Sequence, residues 1–199
     1  MDQLAGVSGL VVVQRKEWGE ILTGFETVNK YVVLDTSGRQ LYLAAEEGGS
    51  LLLRWFLKAM RPFTMAVLHK DGRAVLRVRR PFRFYFHCAE VVDASGRLLG
   101  TLQRRFSLAR RIYSVLDTSG REQFELFGPI LHPWTFEIRQ DGREVGKITK
   151  KWSGLTLEAF TDADKFGVTF PADWDVSVKA VFLGAVFLID FVHFENQGN

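Results

Sequence analysis

Hydrophobic and polar residues alternate along most of this chain, and the alternation is punctuated by one recurring turn. Apolar positions repeat every second residue at Phe63, Met65 and Val67, at Leu76 and Val78, and at Trp134, Phe136 and Ile138. That period places successive side chains on opposite faces of a strand. Between such stretches stand Asp35-Thr36-Ser37-Gly38-Arg39, Lys70-Asp71-Gly72-Arg73, Asp93-Ala94-Ser95-Gly96-Arg97, Asp117-Thr118-Ser119-Gly120-Arg121 and Gln140-Asp141-Gly142-Arg143. Aspartate tolerates tight turns and glycine supplies positive φ, so each segment predicts a hairpin. The glycines Gly38, Gly72, Gly96, Gly120 and Gly142 are 34, 24, 24 and 22 residues apart, room for two strands and a connection in each interval. Five hairpins, with further strands near residues 10–15 and 155–160, predict about a dozen antiparallel strands in a mainly β protein. So many strands avoid exposed edges by closing into a barrel.

The most apolar run, from Val176 to Phe194, breaks this rhythm. Between Lys179 and Asp190 there are ten uncharged residues, 180–189. At about 1.5 Å per residue they cover only about 15 Å of helix, whereas a hydrocarbon core needs about 20 apolar residues. Apolar side chains occur all round, so such a helix needs enclosure on every side. The reading is a central helix over residues 175–194, filling the barrel, in preference to a membrane span. The first turn interval is longer than the others by ten residues, and the surplus reads as a second helix over 50–61. Arg54, Lys58 and Arg61 share one face of it, beside leucines, Trp55 and Phe56. A cationic stripe next to an apolar face describes a helix lying on anionic lipid. A lid packed on the barrel end is the alternative. Arg54, Trp55, Phe56 and Lys58 are the candidate membrane-contacting residues.

Composition adds a little. The 199 residues are 47% hydrophobic and carry a formal charge of +3, enough for one buried domain over 1–199 and weakly attracted to anionic surfaces. The first residues lack the basic stretch of a signal peptide. One cysteine, Cys88, excludes an internal disulfide. The arginines are more informative. Arg77, Arg79, Arg80 and Arg83 are followed by Arg104, Arg105, Arg110 and Arg111. Guanidinium groups bind phosphate in a forked geometry, so Arg77, Arg79, Arg80, Arg104, Arg105, Arg110 and Arg111 are candidate ligands for phospholipid headgroups. Nucleic-acid phosphate is a less favoured partner, and a solvated strand face is the default for any one arginine. Enzyme chemistry finds no support: the four histidines show no metal-ligand or triad spacing, and Gly142 to Gly146-Lys147 is too short for a phosphate loop.

Several segments carry a family likeness. Gly24-Phe25-Glu26-Thr27-x-Asn29-Lys30-Tyr31, Arg61-Pro62-Phe63-Thr64 and Gly146-Lys147-Ile148-x-Lys150 resemble the phospholipid scramblase family. So do Asp162-Ala163-Asp164-x-Phe166-Gly167-x-x-Phe170-Pro171-x-Asp173 and Lys179-Ala180-Val181, running on to Asp190-Phe191. The resemblance covers nearly the whole chain in order. It implies a tubby-like barrel of twelve strands around a C-terminal helix. It further implies calcium-stimulated, ATP-independent, bidirectional movement of phospholipids between leaflets, without covalent chemistry, from the cytoplasmic side of the plasma membrane. A peripheral attachment fits better than a single-pass one, and a homo-oligomer is compatible with it. A phosphoinositide- or anionic-lipid-binding module or adaptor without transport is the alternative. The chain departs from the family in lacking a proline-rich N-terminal extension and cysteine clusters that anchor by palmitoylation. The resemblance also marks the acidic turn as a calcium site. Read as a twelve-residue loop, 162–173 places Asp162, Asp164 and Asp173 at positions 1, 3 and 12 and Gly167 at position 6. The other reading is a turn whose phenylalanines are core, with Asp173 or Asp175 capping the helix.

Overall fold

The computed structural model describes residues 1–15, 29–48, 62–82, 88–150 and 165–194, with the Arg15 side chain left out. Twelve strands make one closed antiparallel barrel: β1 (Gly9–Arg15), β2 (Lys30–Asp35), β3 (Gln40–Glu46), β4 (Phe63–Leu68), β5 (Ala74–Arg80), β6 (Cys88–Asp93), β7 (Leu98–Arg104), β8 (Arg111–Leu116), β9 (Glu122–Gly128), β10 (Thr135–Gln140), β11 (Arg143–Lys150) and β12 (Lys165–Thr169). Every strand pairs with its neighbour in sequence, and β12 closes the ring on β1, with Val11 opposite Gly167.

Four of the five recurring turns are one three-residue device, and the fifth, Asp141-Gly142, is a two-residue turn with both residues at positive φ. The five turn glycines take φ between 76° and 88°. Beside each turn the strand register slips once, between Val33 and Leu34, Val67 and Leu68, Val91 and Val92, Val115 and Leu116, and Ile138 and Arg139. In the first four, a turn closed by a left-handed residue with one bulged position is the three-residue hairpin, and the extra twist of the bulges helps bend a sheet into a cylinder. In the Asp-x-Ser-Gly-Arg turns the aspartate organises the loop. Asp117 Oδ1 accepts from the Ser119 N–H at 2.8 Å and the Arg121 N–H at 3.0 Å, and Asp35 and Asp93 repeat the pattern.

Among the described residues one long helix, α1 (Val176–His193), fills the cylinder. Asp175 caps it, accepting the Ser177 N–H at 2.7 Å. Lys179 through Asp190 and on to Phe191 are buried on every side. Close passage requires small residues at two points: a Cβ on Gly184 would lie 2.6 Å from Val91 Cγ2, and one on Gly100 would lie 2.8 Å from Val181 Cγ2. The two charges that bracket the apolar run go into the barrel as well. Lys179 Nζ donates to the carbonyls of Leu4 and Ala172 at 3.1 and 2.7 Å, and burial pulls its pKa down. Asp190 accepts the Tyr31 hydroxyl at 2.7 Å. Buried charges persist only with such partners. By length and composition alone α1 could cross a membrane, with a mean hydropathy of 1.8, but here the barrel encloses it.

One strand expectation falls where nothing is described, and one changes. The segment 155–160 lies outside the described residues. The strand that closes the ring is Lys165–Thr169, with Phe166, Val168 and the following Phe170 buried. In addition, β1 to β4 do not alternate: Val11, Val13, Val32, Leu34, Leu43, Ala66 and Leu68 form a second buried cluster on their outward face. Strands buried on both faces read as continuous apolar runs.

Candidate functional site at the connection end of the barrel

An up-and-down barrel has two ends, and this one separates its chemistry between them. The tight turns at 36–38, 70–72, 94–96, 118–120 and 141–142 all lie at one end, where α1 begins. The strands meet the longer connections at the other end, through Glu46, Phe63, Arg80, Cys88, Arg104, Arg111, Gly128, Thr135 and Lys150. The C-terminus of α1 closes this second end: the Tyr113 hydroxyl lies 2.8 Å from His193 Nε2, Trp134 stacks on Phe194 at 5.4 Å, and Lys150 Nζ sits 4.7 Å over the Phe194 ring. Burial raises the Tyr113 pKa to about 12, so its hydroxyl stays protonated.

Six of the seven candidate headgroup arginines gather at this end, and Arg77 lies three residues before the end of β5. They do not have equal freedom. Arg80 follows Leu76 and Val78 in inward phase and is buried, its guanidinium 5.1 Å from the Phe191 ring centroid and 6.0 Å from that of Phe63. It belongs to the barrel interior, which corrects its assignment as a headgroup ligand. Arg77 is half-buried and pairs with Glu47 at 3.1 Å. Arg111 holds a loop: its Nη1 donates to Pro133 O at 2.6 Å, and its Nη2 to Pro129 O and His132 O at 3.3 Å. Its guanidinium also lies 4.6 Å over Phe136, and burial lowers its pKa. Arg105 is exposed and reaches Glu125 at 2.9 Å and Glu122 at 3.5 Å. Arg110 is exposed over the Phe127 ring at 5.3 Å, Arg79 is exposed on β5, and Arg104 is half-buried at the end of β7. Arg79, Arg104 and Arg110 are therefore the ones that present charge to an outside surface, while the exposed Arg105 is held by Glu125 and Glu122.

Sequence reasoning missed the apolar residues between them. In the β7–β8 connection Phe106 is 76% and Leu108 93% exposed; in the β9–β10 connection Ile130 is 62% and Leu131 88% exposed. Phe82 and Trp134, each 38% exposed, complete the large exposed hydrophobics among the described residues, and all six lie at this end. The signal was present: four arginines enclose Phe106 and Leu108, and two prolines bracket Ile130-Leu131.

The other predicted groups fare differently. Arg54, Trp55, Phe56 and Lys58, with Asp162 and Asp164, lie outside the described residues. Asp173 is exposed, two residues before the helix cap at Asp175. The reading of 162–173 as a single twelve-residue loop is corrected, because Lys165–Thr169 is a strand paired on both sides. Gly167 sits within that strand, opposite Val11 and Thr149, rather than at a sharp turn. A strand advances about 3.3 Å per residue, so it separates its flanks where a calcium loop must bring them together. Among the described residues no three His, Cys, Asp or Glu side chains converge as metal ligands.

The Scramblase family model matches residues 1–196. Mouse phospholipid scramblase 1 is 37% identical over 213 residues, covering 100% of this chain and 65% of its own length. Bovine phospholipid scramblase 2 is 35% identical over 209 residues, covering 98% of this chain and 71% of its own length. A solved Arabidopsis thaliana structure superposes with a TM-score of 0.50 at 13% identity, covering 96% of each chain, a likeness of fold alone. A barrel of this architecture with a sequence of this kind is a scramblase-type domain, and the chain belongs to the scramblase family. It spans about two thirds of the length of the curated relatives it matches.

Proposed function

We propose that this domain acts on phospholipid bilayers as a scramblase, letting phospholipids exchange between leaflets in both directions without ATP. Its place of work in this proposal is the cytoplasmic face of the plasma membrane. Membership of the family supports the activity. The observation that carries the membrane-surface part is the connection end of the barrel, where exposed apolar side chains stand among outward-facing arginines. Scrambling needs no bond to be made or broken. It needs a lower barrier for carrying a charged headgroup through hydrocarbon, a passage that is costly for any ion. With α1 enclosed, the domain works from the surface: apolar tips disorder the acyl chains while Arg79, Arg104 and Arg110 hold phosphates beside them.

The chain between β3 and β4 also leaves and returns at this end, through Glu46 and Phe63. Arg54, Trp55, Phe56 and Lys58 thus keep their role as membrane contacts in this proposal. Trp55→Ser with Phe56→Ser is expected to weaken binding to anionic liposomes without lowering the melting temperature. Calcium stimulation enters only from the family likeness. The described part of the acidic segment does not form the expected loop, and no step here passes through the ion. Calorimetry of Asp162→Ala/Asp164→Ala against the unaltered chain tests that point alone.

A second reading is favoured by the enclosure of α1: a headgroup-binding module or adaptor that holds lipid without moving it. Proteoliposomes carrying fluorescent phospholipid on both leaflets separate the two. Under the first reading dithionite bleaches nearly all the fluorescence, with and without calcium being compared; under the second it stops at the outer half.

A further inference from the structure

We infer that the connections 104–111 and 128–135 form a two-pronged wedge that seats the barrel, connection end down, in an anionic phospholipid bilayer. Leu108 and Leu131 are its penetrating tips, with Phe106 and Ile130 beside them. The inference rests on the proposed action at bilayers and adds how the domain meets them.

The two prongs are neighbours by construction, because β7, β8, β9 and β10 follow one another round the barrel and Arg111 opposes Gly128. They are also tied. Arg111, at the base of the first prong, donates to three carbonyls of the second, and Arg110 lies over Phe127 just before it. The tips are thus held in fixed positions instead of collapsing onto the barrel. Leaving four large apolar side chains in water is unfavourable, and residues so exposed and so grouped mark an interaction surface.

Charge decides what covers it. The two connections carry four arginines and no acidic residue; Arg105 is paired with Glu122 and Glu125 of β9 and Arg111 holds the second connection, which leaves Arg104 and Arg110 as outward charge. A second copy meeting this face about a two-fold axis would bring the same arginines together, and like charges oppose that contact. An anionic bilayer offers hydrocarbon for the tips and phosphates for the guanidinium groups at the depth where each sits. The opposite end competes poorly, since four of its five turn arginines, Arg39, Arg73, Arg97 and Arg121, are already paired with the aspartates of their own turns, and no large apolar side chain is exposed there among the described residues.

The test uses the whole chain in a Cys88→Ser background, with an environment-sensitive fluorophore on Leu108→Cys, on Leu131→Cys or on Ala94→Cys in a tight turn. Phosphatidylcholine vesicles are added with and without phosphatidylserine. The labels at 108 and 131 are expected to brighten and shift to the blue with anionic vesicles, and the label at 94 to stay unchanged. Leu108→Ser with Leu131→Ser should weaken vesicle binding by roughly tenfold or more, since each tip loses the transfer of a leucine to hydrocarbon. Raising salt should weaken it further by screening the arginines. Vesicle binding with both labels silent overturns the wedge, as does a dimer without lipid that the paired serine substitutions dissolve. Loss of lipid exchange with insertion intact counts against the scramblase reading and leaves the wedge standing.

Discussion

The two ends of the barrel use the same residue types to opposite effect. At the tight-turn end four of the five turn arginines belong to the aspartate of their own turn: Arg39 to Asp35 at 3.0 Å, Arg73 to Asp71 at 2.7 Å, Arg97 to Asp93 at 3.1 Å and Arg121 to Asp117 at 3.3 Å. Charge is consumed locally, and no large apolar side chain is exposed there among the described residues. At the connection end Arg79, Arg104 and Arg110 face outward, the 104–111 and 128–135 connections contain no carboxylate, and all the described exposed hydrophobics collect. One end is built to be finished by itself. The other is built to be finished by something else, and between them runs a helix whose ends touch both.

That contrast can be broken most severely through the helix. Gly184→Val would push new methyl groups into Val91 and Val78, and thermal unfolding should show a loss of about 1–3 kcal/mol or more. Tyr31→Phe removes a donor from the buried Asp190 carboxylate and should cost about 1–3 kcal/mol in the same assay. Arg111→Gln sharpens the comparison from the other side. It should lower stability by about 1–2 kcal/mol through the lost carbonyl bonds and reduce vesicle affinity by loosening the second prong. Serines at Leu108 and Leu131 should leave stability within about 0.5 kcal/mol, because both side chains are exposed, while vesicle binding falls.

The smallest effect belongs to the tight turns. Hydrogen bonds from Ser119 and Arg121 hold Asp117 at about 2, and the Arg73 side chain, with its backbone N–H, holds Asp71 at about 2, both below the ordinary 3.8. Ser95 and Arg97 hold Asp93 below it in the same way. For Asp35 burial works in the opposite direction, and the bonds from Ser37 and Arg39 outweigh it. A carboxylate with a lowered pKa in the folded state stabilises that state fully above its unfolded pKa and loses the contribution as pH falls. Melting temperature should therefore decline gently between pH about 4 and about 2, and each turn Asp→Asn substitution should flatten the decline.

The parts that were legible in the sequence are those whose chemistry is local. An aspartate and a glycine flanking a bend specify that bend whatever surrounds it, so all five hairpins could be read directly. The apolar run from 180 to 189 was recognisable as an interior helix because two charges cut it short of a bilayer. What local chemistry does not encode was lost. Phe166, Val168 and Phe170 alternate as a strand should, but the aspartates on either side made 162–173 look like a metal loop. Pairing with β1 and β11 settled the conformation, and neither partner is near in sequence. Arg80 shares the inward phase of Leu76 and Val78, yet a charge at an interior position is expected only once Phe63 and Phe191 are known to receive it. The wedge was hidden for a related reason. Phe106 and Leu108 count as apolar wherever they fall, and only the fold shows that nothing within the described chain covers them.

The enclosure of α1 within the strands underlies all of this, and lipid contact reports on it directly. A phospholipid carrying a photoactivatable group in its acyl chain, incorporated in anionic vesicles with the protein bound, marks the residues that touch hydrocarbon when the adducts are mapped by mass spectrometry. Adducts at 106–108 and 130–131, with none from 180 to 191, are the expected result. Adducts along 180–191 would place the helix in the bilayer and contradict the account.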